Sequence, residues 1–218
     1  MRKLFIGIGV GPGLGASTAD RFAREGFDIL LTARNKNRVL ELADAIAKET
    51  DVKATALELD ASNLKAIAEF AEKYGSSADV VHFNAAGMSS PVLQDTNVES
   101  LEKDLRVNIT SPLVTIKGFS SHMAKKGQGT ILITGGALAM YPSADYLTVS
   151  IGKAGIRAMT EALFPQLAKV GIHIATVTVA KSVSPSSSAA KEVADDFWNL
   201  HNKPRDKWSW RSLPNEIF

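Results

Sequence analysis

Two rhythms of apolar residues alternate along this chain. Leu4 to Ile8, Asp28 to Thr32, Val52 to Leu59, Asp79 to Phe83, Thr130 to Thr134 and His173 to Val179 are short runs of mostly aliphatic residues. Such runs are the signature of strands buried on both faces. Between them apolar positions recur at helical spacing: Ala16, Ala19, Phe22 and Ala23; Val39, Leu42, Ala43 and Ile46; Leu64, Ile67, Ala68 and Ala71; Ile156, Met159 and Leu163. A long helical region from Val98 to Lys126 is expected to bend near Ser111-Pro112, because proline removes a backbone donor and crowds the preceding turn. Pro165 marks a second expected kink. Strands alternating with helices predict an α/β fold, a doubly wound parallel sheet of about seven strands with helices on both faces and right-handed crossovers.

The tail has a different texture. Ser182 to Ser188 is a Ser/Pro stretch expected to be a mobile loop, and Ala190, Val193, Ala194, Phe197 and Trp198 share the face of a last helix. Trp208 to Leu213 is a candidate final strand. The length of 218 residues suits one domain spanning 1–218, within which 181–218 forms a short segment on the substrate side.

Composition narrows the chemistry. Twenty-five basic and 23 acidic residues are intermixed, so nothing in the charge implies a nucleic-acid partner. No cysteine is present, which removes disulfides and thiolate chemistry. The histidines at 82, 122, 173 and 201 are scattered, and no metal site is expected. No stretch is long enough to cross a membrane, and the basic N-terminus leads directly into a strand; a cytoplasmic protein is expected.

The turn after the first strand carries the clearest chemistry. Gly9-Val10-Gly11-Pro12-Gly13-Leu14-Gly15 stands between a strand and a helix. A pyrophosphate needs a tight turn, a backbone free of Cβ atoms and the unpaired N–H groups of a helix start. The turn is either that cradle or a plain glycine-rich connection; its strand and helix flanks favour the cradle.

Four segments in order resemble the short-chain dehydrogenase/reductase family over nearly the whole chain. The first is the glycine turn, with Ile8 where the family usually has threonine. The second is Asn84-Ala85-Ala86-Gly87, with alanine replacing a second asparagine. The third is Asn108, at the place of the family's active-site helix asparagine, and the fourth is Lys153-Ala154-Gly155, at the family's catalytic lysine. The resemblance implies a Rossmann fold, a nicotinamide dinucleotide cofactor, a small-molecule substrate and a homodimer or homotetramer formed through the helices around 101–119 and 156–167. Gly9, Gly11, Gly13, Leu14, Gly15, Asn84, Ala85, Ala86, Gly87 and Lys153 become candidate cofactor contacts. Asp60 and Ala61 follow the third strand, where the family's aspartate contacts adenine; Asp60 equally suits a helix N-cap. The second strand ends in Ala33-Arg34-Asn35 without a carboxylate for a ribose hydroxyl, so NADP is expected in preference to NAD, with Arg34 toward the 2′-phosphate. Otherwise Arg34 simply begins a solvated helix.

The family's proton-transfer groups are missing. Val149 occupies the place of the tyrosine four residues before Lys153, and Gly136 that of the serine after the fifth strand. General acid catalysis typically contributes about 10² to 10⁴ in rate, so the loss bears directly on function. Candidate catalytic residues are therefore Asn108, Lys153 and Tyr146, the last lying three residues before Val149 and near its face if the helix already includes it. Three functions remain open: an NADP-dependent oxidoreductase for an unidentified carbonyl/alcohol pair, with an altered proton path through Tyr146 or water; a catalytically silent NADP(H)-binding sensor or subunit; and a dinucleotide fold that has lost its cofactor and survives as an interaction module.

Overall fold

The computed structural model describes residues 2–89 and 92–212. Its elements run β1 (Leu4–Ile8), α1 (Leu14–Arg24), β2 (Asp28–Ala33), α2 (Lys36–Glu49), β3 (Ala54–Glu58), α3 (Leu64–Tyr74), β4 (Val80–Phe83), α4 (Val98–Leu105), α5 (Ser111–Lys126), β5 (Gly129–Thr134), α6 (Leu147–Lys169), β6 (Ile172–Val177), α7 (Ser188–His201) and β7 (Arg211–Ser212). The strands form one parallel sheet in the order β3-β2-β1-β4-β5-β6-β7. Strand order therefore reverses between β1 and β4, the place where a doubly wound sheet opens a crevice at its carboxyl edge.

Side-chain alternation along the strands assigns each helix to a layer. Ile6, Ile8, Ile131 and Ile133 face Ile67 and Phe70 of α3, Phe119 and Met123 of α5, and Ile156 of α6. Phe5, Leu31 and Leu132 point the other way, onto Phe22 of α1, Val39 of α2 and Phe197 of α7. Both faces are thus dry, which explains why the strands read as continuous apolar runs.

Three expectations change in detail. The long helical region is interrupted earlier than its proline: Arg106–Thr110 forms a π turn, and the Ser111 N–H reaches back five residues to the Arg106 carbonyl. Pro112 then falls in the first turn of α5. As expected of its place near the end of the helix, Pro165 lies inside α6 four residues before its last residue, Lys169. The serine stretch closes in a defined cap, with Ser187 Oγ accepting from Ala190 N–H at 3.2 Å and donating to Ser184 O at 2.8 Å. The last strand is only Arg211–Ser212, paired with Thr176 and Val177, while Leu213 lies outside the described residues.

Candidate functional site

The glycines of the β1–α1 turn divide into two kinds. Gly9 has φ +74°, and a Cβ there would lie 2.4 Å from the Ala85 Cβ and 2.6 Å from its backbone. At Gly15 a Cβ would stand 3.1 Å from both Val10 Cα and Asn84 Nδ2. These two are glycine because the protein packs against them. A Cβ on Gly11 would meet nothing within 4 Å, and one on Gly13 only Val183 O at 3.8 Å. Neither has positive φ, and no packing contact requires either to be bare; the open backbone here leaves room for something that is not protein. Gly13 also caps α1 without a side-chain bond; Ala16 N–H is given to Gly11 O at 3.0 Å, and the helix dipole points its positive end at the turn.

Beside this turn lies a first cleft of about 430 Å³, floored by Gly9 to Gly11 and walled by Arg34, Arg38, Asp60, Ala61, Ala85 to Gly87 and Lys103. Arg34 is exposed at the end of β2. The cap of α2 is Asn35, whose Oδ1 accepts from Arg38 N–H at 3.1 Å, and this places Arg38 in the first turn on the same cleft. Asp60 does not cap α3; Asn63 does, accepting from Ala66 N–H at 3.0 Å. Burial alone would raise the Asp60 pKa, but the Ser62 N–H at 2.8 Å, the Ser62 hydroxyl and the charges of Arg34 and Lys103 outweigh it and hold the carboxyl below its usual range. Asp60 therefore stays ionised beside Arg34 and Lys103.

Beneath the turn runs a buried polar chain. Asn84 Nδ2 donates to Gly9 O at 3.1 Å, Thr134 Oγ1 donates to Asn84 Oδ1 at 2.8 Å, and His82 Nε2 stands 2.9 Å from Thr134 Oγ1. The single Thr134 hydroxyl proton is already given to Asn84, so His82 must be the donor through Nε2. Its Nδ1 is buried without a hydrogen-bond partner. Burial, assisted by the nearby Lys153 charge, pushes the His82 pKa down to about 3 and keeps the ring neutral. Asn84, Ala85 and Gly9 thus lock the carboxyl ends of β1 and β4 together.

Asn108 sits in the π turn, almost wholly buried. Its Oδ1 accepts from Gly87 N–H at 2.8 Å, while Nδ2 donates to Gly87 O at 2.8 Å and to Thr148 O at 3.2 Å. Every polar atom of the amide is spent on clamping the Asn84 to Gly87 loop to the start of α6, so the side chain acts by positioning. Gly152 is needed for that approach, since its Cβ would lie 2.5 Å from Asn108 Cβ.

A second cleft, about 670 Å³, opens on the other side of the turn between Leu14, Thr134 to Leu138, Tyr141, Tyr146, Lys153 and Val179 to Val183. Lys153 Nζ donates to Thr134 O at 2.7 Å, and desolvation pushes its pKa down to about 8. Tyr146 is the N-cap of α6 rather than part of it, and still reaches the cleft that Lys153 lines. Val149 is half-buried and outside the described lining. At Gly136 a Cβ would make ordinary contacts of 3.4 to 3.6 Å with the Lys153 methylenes, so a side chain could stand there and none does.

Among the described residues no cluster could hold a metal ion, and no helix is long and apolar enough to cross a membrane. Sequence reasoning missed Arg38, Lys103, His82 and Tyr141. Arg38 follows Arg34 by one helical turn and His82 is the lone polar residue between Val80 and Phe83, both usable signals; nothing marked Lys103 or Tyr141.

Residues 3–193 match the model of the short chain dehydrogenase family. The chain belongs to that family. An uncharacterized oxidoreductase of Staphylococcus saprophyticus is 26% identical over 210 residues, covering 94% of this chain and 87% of the relative. A metagenomic short-chain oxidoreductase solved in complex with NADP superposes with a TM-score of 0.87 at 21% identity, covering 97% of this chain and 96% of that one. A short-chain dehydrogenase from Sphingobium yanoikuyae in complex with NADPH gives 0.85 at 21% identity, covering 99% and 89%. In this short-chain dehydrogenase the two clefts lie at the carboxyl edge of the sheet, one to either side of the reversal in strand order. In its second cleft Gly136 brings no side chain that could give a proton, and Val149 stays outside the described lining.

Proposed function

We propose that this short-chain dehydrogenase binds NADP(H) across both clefts and interconverts a carbonyl compound and its alcohol. The observation that carries the reading is the bare backbone at Gly11 and Gly13, which no packing demand explains, beside a cleft bearing Arg34, Arg38 and Lys103. That cradle suits a pyrophosphate, and two guanidiniums with no carboxylate at the end of β2 suit a ribose 2′-phosphate better than a free hydroxyl. The NADP and NADPH complexes of its structural neighbours agree with this choice. Asp60 and Ala61 would lie against the base, and Lys153 near the nicotinamide ribose.

A bound nicotinamide supplies or accepts a hydride. The chain itself then has three tasks. The glycine turn and α1 N-terminus hold the phosphates by backbone N–H groups and dipole. Asn108 and Asn84 keep the two loops over the switch point in register. The second cleft receives the substrate between Leu138, Tyr141, Tyr146 and Val183 and must give its oxygen a proton. Exposed Val98, Leu113 and Ile151 lie on α4, α5 and α6, the helices through which we expect a homodimer or homotetramer to form. A cytoplasmic setting agrees with the cofactor.

Gly136 and Val149 favour a second reading, a catalytically silent NADP(H)-binding protein. One experiment separates them: binding of NADPH and NADH measured side by side, then NADPH consumption against a panel of ketones and aldehydes by the native chain and by a Gly136→Ser/Val149→Tyr variant. Saturable NADPH binding with turnover by the native protein is expected. Turnover by the variant alone would leave the native chain a binding protein, and absence of any saturable binding would overturn both readings.

A further inference from the structure

We propose that Lys153 itself is the proton donor of this site, its ammonium hydrogen-bonding directly to the substrate oxygen with no tyrosine between. This rests on the oxidoreductase reading above and names the group that completes it.

The described lining of the second cleft offers few protons. Thr134 Oγ1 has spent its own on Asn84 and accepts from His82. Lys181 is paired with Glu192 in solvent. Ser182 is exposed and has no base beside it among the described residues. Tyr141 and Tyr146 are 54% and 46% exposed, at the rim rather than the floor. Lys153 is at the floor. Its amine is anchored on the backbone carbonyl of Thr134, the residue whose hydroxyl braces Asn84 and, through it, Gly9.

Gly136 makes the contact direct. A side chain there would lie against the Lys153 stem at 3.4 to 3.6 Å and stand between the stem and the substrate; hydrogen leaves that wall open. The ammonium carries three protons and the Thr134 carbonyl takes one, so donors remain for an incoming oxygen. With its pKa lowered to about 8, the group is mostly protonated at neutral pH yet a far better acid than a surface lysine. The charged neighbours are consistent: His82 is neutral, Lys181 is paired, and no carboxylate is among the described lining to hold the ammonium back.

The step balances. As the carbonyl carbon gains a hydride from a reduced nicotinamide dinucleotide, the C=O π pair moves to oxygen. That oxygen takes a proton from Nζ, one N–H bond breaking as the O–H bond forms. The neutral amine regains its proton from water through the open cleft.

The test combines two measurements. Competitive acetylation with acetic anhydride from pH 6 to 11, resolved by peptide, reads the Lys153 ionisation without turnover; a midpoint near 8 is expected, and one shared with the surface lysines overturns the proposal. Ketone reduction is then followed against pH. The native rate should fall above about pH 8. In Tyr141→Phe/Tyr146→Phe that limb should stay in place, whereas Lys153→Arg should still bind NADPH but lose about 10²-fold or more in kcat together with the limb near 8. A limb that moves or vanishes with the tyrosines overturns the donor role while leaving the enzyme intact. Native protein that binds NADPH and reduces nothing overturns the oxidoreductase reading itself, and the donor role with it.

Discussion

In the cleft beside Arg34 the decisive atoms are backbone: a left-handed glycine against Ala85, two glycines facing open space, and the start of a helix. In the cleft beside Tyr146 the decisive atoms are side-chain ends, the Lys153 amine and the two tyrosine hydroxyls, and Gly136 adds none to them. A backbone demand tolerates one residue type, because any other collides or strains the chain. A side-chain demand can lapse without disturbing the fold, as the ordinary contact distances at Gly136 show. The first cleft therefore keeps its form while the second is free to change its chemistry.

The sharpest way to break this contrast is Gly9→Ala, in the turn that floors the first cleft and is braced through Asn84 to Thr134 of the second. A positive φ together with a Cβ 2.4 Å from Ala85 should cost about 3 kcal/mol in denaturant unfolding and abolish NADPH binding. A stable variant would show that the turn is softer than its contacts imply.

Acid should expose the second cleft's foundation next. The folded-state pKa of His82, about 3, lies below its unfolded value near 6.5, so the unfolded chain binds the proton first. The stability this histidine contributes is complete above about pH 6.5 and is lost as pH falls toward 3, at about 1.4 kcal/mol per pH unit. Unfolding free energies should fall at least that steeply between about pH 6 and 5, because burial lowers His173 and His201 as well, and His82→Gln should flatten the curve by one proton. An unchanged slope would mean that the ring is charged in the folded protein.

Gly11→Ala reverses the pattern of Gly9→Ala. With nothing within 4 Å of the new methyl, stability should hold within about 0.5 kcal/mol, while NADPH affinity drops about tenfold. If affinity also held, the open backbone would not be a ligand cradle. The smallest effect is expected at Arg34→Ala: about a fivefold weakening of NADPH with NADH unmoved, read by paired titrations. Equal weakening of both would take the 2′-phosphate away from Arg34.

The same contrast decides what could be read from the amino acids. Strand and helix assignments and the parallel sheet were legible because both layers bury aliphatic residues at fixed periods, Ile6 and Phe5 to opposite faces. Gly9 to Gly15 and Asn84 to Gly87 were legible because close approach restricts composition locally. The Asn63 cap displacing Asp60, and Tyr146 as cap rather than helix residue, turn on single backbone dihedrals that periodicity does not register. The polar chain from His82 to Gly9 links strands separated by about half the chain, and no local pattern announces it.

The five-residue turn at Arg106–Thr110 has a consequence for phase. An α-helix advances about 100° per residue, so the one residue absorbed by the wider turn sets the faces of α4 and α5 out of register by roughly that angle. Upstream of it Asp104 receives hydrogen bonds from Ser89 and Thr148 beside the cleft; downstream Ile116, Phe119 and Met123 enter the core. Deleting any one residue from 106 to 110 would restore a regular helix and rotate one half away from its partners. Tolerance to a substitution in this stretch therefore says nothing about tolerance to a shortened one.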